Sequence, residues 1–149
     1  MKGSNVTLRP ATGNDGPTVY DFICELESIT FPKEKFLEMY HSVIGEPDKF
    51  VTVALVDGEV VGVVSCYFQN ILHHCGVVAE IQELFVRAGE RGLGIGKRLI
   101  DDTLAMAKAR GALQVEVSTS VARKDAQRFY LRENFQFTHH KFVYTFPGS

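Results

Sequence analysis

The first part of the chain carries a short alternating pattern followed by two helical patterns. Residues 6–9 alternate between apolar and polar side chains, which predicts a strand. Apolar side chains then recur at helical spacing after Pro17, a residue typical of a first helical turn, and this helix is expected to end near Ser28. Pro32 opens a second helical pattern that stops before Gly45. One strand and two amphipathic helices are therefore predicted here.

The middle of the chain has the pattern of a β-hairpin followed by another strand. Residues 50–56 and 59–68 are both rich in apolar and β-branched side chains, and the pair Asp57-Gly58 separates them. An Asp-Gly pair between two such runs favours a tight turn with positive φ, so antiparallel pairing is expected. Residues 77–86 form the next apolar run and predict a further strand.

The last third of the chain alternates between helical and strand patterns. An apolar stripe at helical spacing precedes Gly111 and consists of Leu99, Ile100, Thr103, Leu104 and Ala107. Residues 113–118 predict a strand parallel to the preceding one, because a helix separates the two. Residues 122–133 predict another helix that ends at Asn134, and residues 135–146 predict one or two closing strands.

The order of these elements indicates a mixed α/β fold. The front of the chain is α+β in character and the back is βαβ-like, so the predicted fold class is α+β. A single domain covering residues 1–149 is expected, because 45% hydrophobic and 23% charged residues are ordinary proportions for one globular domain of this length.

Charge, cysteines and the length of apolar runs narrow the class of protein. A formal net charge of −2 argues against a nucleic-acid-binding protein, which would normally present a basic face. Cys24, Cys66 and Cys75 are odd in number and lack Cys-x-x-Cys spacing, so neither a disulfide framework nor a zinc ribbon is expected. No apolar run is long enough to span a membrane and no signal-peptide pattern is present, so we expect no membrane partner and a cytoplasmic location.

The most informative segment is a glycine-rich stretch between the strand at residues 77–86 and the next helix. It consists of Arg91, Gly92, Leu93, Gly94, Ile95, Gly96 and Lys97. Glycines let the backbone approach a ligand, and the N–H groups of a first helical turn favour negative charge. Lys97 and Arg98 occupy this turn, where the helix dipole prefers acidic side chains, so an anionic ligand is indicated. The alternative is a glycine-rich turn with surface arginines.

Spacing excludes two common phosphate-binding loops. A P-loop needs a hydroxyl residue after its lysine, but Lys97 is followed by Arg98. A dinucleotide-binding loop needs glycine at the position that Leu99 occupies. The pattern that remains is Arg-x-x-Gly-x-Gly at residues 91–96, and it resembles the pyrophosphate loop of the GNAT N-acetyltransferases.

A second segment is similar to another signature of the same family, in which a strand end leads to Asn-x-x-Ala-x-x-Phe-Tyr and then Gly-Phe. The matching residues are Ala126, Phe129, Tyr130 and Phe135. The sequence departs from the pattern at Asn134, where glycine is usual, and around Asp125, where an asparagine often bonds the cofactor. A closer likeness, to the aminoalkylphosphonate N-acetyltransferases, extends over almost the whole chain through residues 23–26, 73–74, 80–84, 91–93 and 125–133.

The resemblance implies a fold, an activity and partners. The fold would be a twisted, mixed and mostly antiparallel sheet of six to seven strands flanked by about four helices. The activity would be acetyl transfer from acetyl-CoA to the primary amine of a small molecule, by direct attack on the thioester. An aminoalkylphosphonate is the favoured acceptor, with an aminoglycoside or a polyamine as the alternative. A non-catalytic acyl-CoA-sensing module is a further alternative, and a homodimer is an expectation at the level of the family.

Two side chains are the candidates for catalytic proton transfer. Glu80 lies where family members carry a glutamate base on the strand beside the acetyl group, so removal of the amine proton, directly or through water, is its implied role. Tyr130 could protonate the leaving thiolate, because a phenol has a pKa of about 10, similar to that of the thiol. A solvent-facing glutamate and a core tyrosine are the structural alternatives.

The residues expected to bind the cofactor come from the strand, the glycine-rich segment and the second signature. They are Leu84, Phe85, Val86, Arg91, Gly92, Leu93, Gly94, Ile95, Gly96, Lys97 and Asp125. The strand residues would act through backbone amides that bind the pantetheine and polarise the thioester carbonyl. Arg91 is the expected charge partner of the pyrophosphate, while Arg87 and Arg98 are either further partners or solvated side chains.

Acidic and histidine side chains are the candidates for binding the acceptor. Glu83 faces away from Glu80 by strand alternation unless a bulge intervenes, and it is the weaker base candidate. Glu27 belongs to an acidic group on the first two helices, which is either a solvated face or a lining that would favour a polycationic amine. His74 and its neighbour His73 make a divalent metal worth considering, but adjacent strand residues point to opposite sides, so no metal site is predicted.

Overall fold

The computed structural model describes residues 5–148, with the exception of the side chain of Arg91. Its strands are β1 (Val6–Pro10), β2 (Lys49–Val56), β3 (Glu59–Ile71), β4 (Gly76–Val86) and β5 (Val115–Val117). Its α-helices are α1 (Gly16–Glu27), α2 (Lys33–Ile44), α3 (Ile95–Ala109) and α4 (Lys124–Arg132). Short 3-10 helices cover Gly13–Asp15, Leu72–His74 and Ala88–Leu93. None of the helices in the described range is long and apolar enough to cross a membrane.

The strands form one mixed sheet in the order β1-β2-β3-β4-β5. Neighbouring strands are antiparallel from β1 to β4, and β5 runs parallel to β4. The chain divides into two compact units, Met1–Val117 and Ser118–Ser149, so the sheet belongs to the first unit and α4 to the second.

Helices cover both faces of the sheet in the first unit. Val63 of β3 belongs to a buried cluster with Phe22 of α1 and Phe85 of β4. The preceding residue of β3, Gly62, lies on the opposite face, and a Cβ added there would lie 3.5 Å from the side chain of Leu99 on α3. The apolar faces of α1 and α3 therefore hold the sheet between them.

Most of the predicted elements are present. The first strand, the first two helices, the hairpin, the long fourth strand and α3 agree with the hydrophobic pattern. The hairpin turn has positive φ at both Asp57 (51°) and Gly58 (87°), as an Asp-Gly pair favours. The mixed and mostly antiparallel sheet with four α-helices is also confirmed.

The predicted number of strands is too high, and one strand is shorter than expected. The sheet of the described chain has five strands instead of six to seven, because residues 135–146 contain no strand. Residues 113–118 were expected to be extended throughout, but β5 comprises only Val115–Val117. An alternating pattern shows which side chains can share a face, whereas a strand also needs a neighbour whose N–H and C=O groups match its own.

Candidate active site

The fourth strand contains a β-bulge next to the predicted catalytic residue. Ser65 of β3 pairs with Glu83, but the following residue, Cys66, pairs with Ile81. Gln82 is therefore an additional residue in β4 with no direct partner in β3. A bulge of this kind interrupts strand alternation, so side chains on its two sides no longer follow the expected pattern of opposite faces.

The bulge places two carboxylates on the same face of the sheet. Ser65 and Tyr67 are two residues apart in β3 and therefore share a face. Their partners in β4 are Glu83 and Glu80, which consequently share that face as well. Strand alternation alone placed Glu83 on the face opposite Glu80 unless a bulge intervened, and this bulge is present, so the two side chains share a face. The arrangement brings two candidate proton acceptors to one side of β4.

Glu83 is half-buried and hydrogen-bonded to a serine on the neighbouring strand. The Ser65 Oγ accepts a hydrogen bond from the Glu83 N–H at 3.0 Å and donates one to Glu83 Oε1. Burial raises the pKa of the Glu83 carboxyl, the Ser65 hydrogen bond opposes this, and the charge of Glu27 adds to it. A carboxylate with a raised pKa is a better proton acceptor than an exposed one.

A cavity of about 100 Å³ lies against Glu83, between α1, α2 and strands β2, β3 and β4. Most of its lining is apolar. The lining residues are Val19, Ile23, Phe36, Met39, Tyr40, Val43, Val51, Val63, Ser65, Tyr67 and Glu83. No lysine, arginine or histidine of the described chain belongs to this lining. The strand pattern gave no sign of Ser65 or Tyr67 as site residues, because only the fold brings them beside Glu83.

Glu80 lies in the same row of the sheet as Tyr67 and Glu116. It pairs with Tyr67 on β3 and with Glu116 on β5, and its side chain is half-buried. Burial, with a contribution from the Glu80 charge, raises the pKa of the Cys66 thiol to about 11. At neutral pH this thiol is protonated and a poor nucleophile, which argues against a covalent intermediate on Cys66.

Strands β4 and β5 pair over a short length only. The pairing involves Ala79, Glu80 and Ile81 of β4. Farther along β4, the Arg87 N–H donates to the Val61 carbonyl of β3 at 2.8 Å. Because alternate amides of a strand point to opposite sides, the N–H of Leu84 faces the side of β4 on which β5 lies.

Val86 and Phe85 are the other two strand residues predicted to bind the cofactor, in both cases through the backbone. The N–H of Val86 faces the β5 side by the same alternation. The ring of Phe85 is buried in the core, with its centroid 5.0 Å from that of Phe22. Any contribution of Phe85 to a ligand is therefore confined to its backbone.

The glycine-rich segment begins helix α3 and has open space above it. Gly94 has φ of 70° and caps the helix, and the first α-helical hydrogen bond runs from the Arg98 N–H to the Gly94 carbonyl at 3.1 Å. A Cβ added at Gly92 or Gly94 would meet no atom within 4 Å. The positive φ of Gly94 itself favours glycine, while no side-chain packing requires a glycine at position 92. The open space leaves room for a ligand to lie close to the backbone at both positions.

The remaining residues of the glycine-rich segment either pack in the core or lie at the start of α3. Ile95 is fully buried beneath the first turn, Leu93 ends the short 3-10 helix, and Gly96 lies in the first turn of α3. The backbone of this turn, more than its side chains, is what an anion can reach.

Two of the basic side chains considered as phosphate partners are engaged by the protein. Arg87 forms ion pairs with Glu59 at 2.8 Å and Glu90 at 3.0 Å, which raise the pKa of its guanidinium. Arg98 Nη1 donates to the carbonyl of Val6 in β1 at 2.8 Å. Both arginines therefore have structural partners within the first unit.

Lys97 and Arg91 are the other two basic residues. Lys97 Nζ lies 3.6 Å from Asp101 Oδ2, and both side chains are more than half exposed. An exposed pair one helical turn apart is weak and easily exchanged for a phosphate. The predicted contact of the Arg91 side chain lies outside the described residues.

The second unit contains Tyr130 and Asp125 on α4. The Tyr130 ring contacts Phe129 and Phe135 at centroid distances of 5.2 and 5.5 Å, and burial raises the pKa of its hydroxyl to about 12. The phenol therefore keeps its proton throughout the neutral range. The Asp125 carboxylate forms an ion pair with Arg128 one turn later, so an intrahelical partner already engages it.

The histidine pair lies in a different local structure from the one expected. His73 and His74 belong to the 3-10 helix Leu72–His74 and not to a strand, and their ring centroids are 4.5 Å apart. His74 Nε2 lies 3.9 Å from Glu116 Oε2. Within the described residues, no group of three or more His, Cys, Asp or Glu side chains is arranged to hold a metal ion.

Comparisons with known proteins agree on one family. The model described as the Acetyltransferase (GNAT) family matches residues 17–135. The chain is 39% identical over 136 residues to an aminoalkylphosphonate N-acetyltransferase of Salmonella typhimurium, covering 91% of this chain and 88% of that protein. It is 21% identical to glucosamine 6-phosphate N-acetyltransferase 1 of Dictyostelium discoideum, covering 88% and 85% of the two chains.

Solved structures show the same fold. A transcriptional regulator from Bacillus halodurans has a TM-score of 0.88 at 25% identity, covering 95% of this chain and all of that one. An aminoglycoside N-acetyltransferase in complex with CoA has a TM-score of 0.86 at 17% identity, covering 98% and 97% of the two chains.

Proposed function

The chain belongs to the GNAT acetyltransferase family and is an acetyl-CoA-dependent N-acetyltransferase, and from this premise we propose that its acceptor is the primary amine of an aminoalkylphosphonate. The observation that carries the attack by an amine is the pair Glu80 and Glu83, two candidate proton acceptors on one face of β4 next to the point where β4 and β5 cease to pair. The 39% identity to an enzyme of that name supports the acceptor class.

The residues of the glycine-rich segment suit the pyrophosphate of coenzyme A. The first turn of α3 presents backbone N–H groups that can bind an anion. The open space above Gly92 and Gly94 lets the anion approach these groups. Lys97 adds an exposed ammonium beside them, and Arg91 is proposed as a second charge partner. The backbone amides of Leu84 and Val86 are proposed to hold the pantetheine arm.

The proposed chemistry is direct acetyl transfer without a covalent enzyme intermediate. Acetyl-CoA supplies the acetyl group as a thioester whose carbonyl carbon the amine attacks. In this proposal Glu80 takes the proton from the amine nitrogen, directly or through water, and the Leu84 N–H polarises the carbonyl oxygen. Tyr130 donates its phenolic proton to the sulfur, so that the carbon–sulfur bond breaks as coenzyme A leaves as a thiol.

A polycationic amine is the second candidate acceptor. The charge of Glu27 acts on Glu83, so two carboxylates lie close enough to interact electrostatically. Such a pair favours a second ammonium group, as in a polyamine or an aminoglycoside, more than it favours a phosphonate. Glu27 and Glu83 would then bind the acceptor, with His74 as a further contact. A homodimer and a cytoplasmic location stay predictions.

A panel of amines tests this function. We expect release of the coenzyme A thiol, followed with a thiol-reactive dye, to be fastest with an aminoalkylphosphonate. The same assay is run with spermidine, an aminoglycoside and a peptide N-terminus, each with and without a divalent metal ion. Faster release with spermidine or the aminoglycoside would overturn the phosphonate assignment. Acetyl-CoA binding without release for any amine would instead support an acyl-CoA-sensing module.

Replacement of Tyr130 by phenylalanine tests the proposed acid. Because the Tyr130 hydroxyl keeps its proton at neutral pH, its loss is expected to lower kcat. We expect a drop of about tenfold, less than the hundredfold or more that acid catalysis usually contributes, since water can also protonate the leaving thiolate. The dissociation constant of acetyl-CoA, measured by calorimetry, should not change. Tyr144→Phe, at a side chain that is 80% exposed, is the matched control. Full activity of Tyr130→Phe would leave Tyr130 with a packing role only.

A further inference from the structure

The cavity against Glu83 has polar groups at one corner and apolar walls elsewhere. Ser65, Tyr67 and Glu83 form the polar corner. The remaining hydroxyl in the lining, that of Tyr40, donates to the Thr12 carbonyl at 2.6 Å and is therefore already engaged. Polar recognition of a ligand in this cavity is thus concentrated at the Glu83 corner.

The apolar walls and the volume suit an aliphatic group. The walls come from valine, isoleucine, phenylalanine and methionine side chains of two helices and two strands. An apolar cavity of about 150 Å³ is large enough for benzene, so the 100 Å³ here fits a branch of about three or four carbon atoms. An alkyl group placed there removes apolar surface from water on both partners.

An anionic group does not suit the same space. Phosphonates and phosphates are recognised by arginine, lysine or backbone N–H groups. The lining contains no cationic side chain, and its one charged residue is the acid Glu83. Repulsion from this carboxylate would keep a phosphonate outside the cavity, whereas an ammonium group would be attracted to it.

The position of the polar corner connects the cavity to the proposed reaction centre. Glu83 immediately precedes Leu84, whose N–H faces the β5 side of β4. A nitrogen held at the Glu83 carboxyl would therefore lie one residue along the strand from the amide proposed to polarise the thioester. Met39 of α2 also lines the cavity and is 62% exposed, and its flexible thioether can move aside as a ligand enters.

We propose that this cavity is a specificity pocket for an aliphatic side chain of the acceptor, with the acceptor's amine held at the Glu83 carboxyl and its anionic group outside. The proposal rests on the proposed acetyltransferase function and specifies which amines it uses. Amines that carry a side chain of three to four carbons next to the nitrogen are the preferred substrates, and 2-aminoethylphosphonate, which has no such branch, is a poorer one.

A homologous series of acceptors tests the pocket. The series consists of aminomethylphosphonate and 1-aminoalkylphosphonates with methyl, ethyl, propyl, isobutyl, pentyl and hexyl side chains. With the wild-type chain, kcat/KM for the acceptor is expected to rise about fourfold for each added methylene until the cavity is full, from the usual transfer free energy of a buried methylene. Equal values along the series, or values that fall with length, would overturn the proposal.

Two variants change the volume in opposite directions. Val43→Phe fills the cavity from α2 and is expected to abolish the gain from ethyl to isobutyl while the smallest substrate is still used. Val51→Ala enlarges the cavity from β2. The side-chain length that gives the highest kcat/KM should then increase by one or two carbons. Val143→Phe, at an exposed valine, is the matched control and should keep the wild-type gradient. If neither Val43→Phe nor Val51→Ala changes how kcat/KM depends on side-chain length, the proposal is overturned.

Failure of the acetyltransferase proposal is distinguishable from failure of the pocket. If no amine releases coenzyme A, the same series is titrated against the wild-type chain and Val43→Phe by thermal denaturation. A rise in Tm that grows with alkyl length in the wild type and is absent in Val43→Phe supports the pocket without any catalysis. A rise in Tm independent of length contradicts it.

Discussion

Glu80→Gln is expected to lower kcat at pH 7 by about a hundredfold, within the usual contribution of a general base. At this pH a primary amine, with a pKa of about 10, is mostly protonated and must lose its proton before or during attack. As the pH approaches that pKa, the free amine becomes abundant and needs less assistance. The ratio of wild-type kcat to the kcat of Glu80→Gln should therefore fall from pH 7 towards pH 10, and measuring kcat over that range tests this.

Two neighbouring carboxylates serve as controls for the role of Glu80. Glu116 pairs with Glu80 across β4 and β5, so Glu116→Gln removes a similar charge from the same row of the sheet. It should leave the pH profile of kcat as in the wild type. Glu83→Gln is expected to raise the KM of the acceptor more than it lowers kcat, because Glu83 lines the cavity. A pH-dependent loss of kcat in Glu83→Gln alone would identify Glu83 as the base.

Gly94→Ala is expected to raise the KM of acetyl-CoA by about tenfold or more, which corresponds to about 1.4 kcal/mol of binding free energy. Gly94 caps α3 with φ of 70°, where a residue with a Cβ costs roughly 1–2 kcal/mol. The added Cβ would also occupy the open space in which the pyrophosphate is proposed to lie. Calorimetric titration with coenzyme A measures the loss directly.

A second glycine separates loss of cofactor binding from loss of stability. Gly58 in the β2–β3 turn also has positive φ, at 87°, and a Cβ added there likewise meets no atom within 4 Å. Gly58→Ala should therefore lower the free energy of unfolding by a similar amount, with the KM of acetyl-CoA unchanged. Equal KM values for the two variants would contradict the role proposed for the Gly94 backbone.

Local patterns were sufficient for most elements of the first unit. Periodicity of 3.6 residues identified α1, α2 and α3, and the Asp-Gly pair identified the hairpin, because these features depend on neighbours within a few residues. Residues 135–146 show the limit of such patterns. Their alternation is compatible with a strand, but pairing requires a partner strand that local sequence does not specify.

Long-range contacts of two arginine side chains were also beyond local patterns. Arg87 and Arg98 have the charge that a phosphate requires, and sequence alone left both phosphate binding and solvation open. In the fold, Arg87 meets Glu59, which is 28 positions away, and Arg98 meets the carbonyl of Val6, which is 92 positions away. Such partners become neighbours only through chain packing.

The sequence by itself determined the family, the acetyl-CoA dependence and the glycine-rich turn before α3, because these depend on residue types at fixed short spacings. Only the tertiary structure decided which side chains share the face of Glu80 and which line the cavity. One bulged residue, Gln82, turns Glu83 to the face of Glu80, and the cavity beside it needs walls from two helices and three strands. Register and packing are set by contacts between distant segments, and a single extra residue in one strand is enough to reverse a prediction based on alternation.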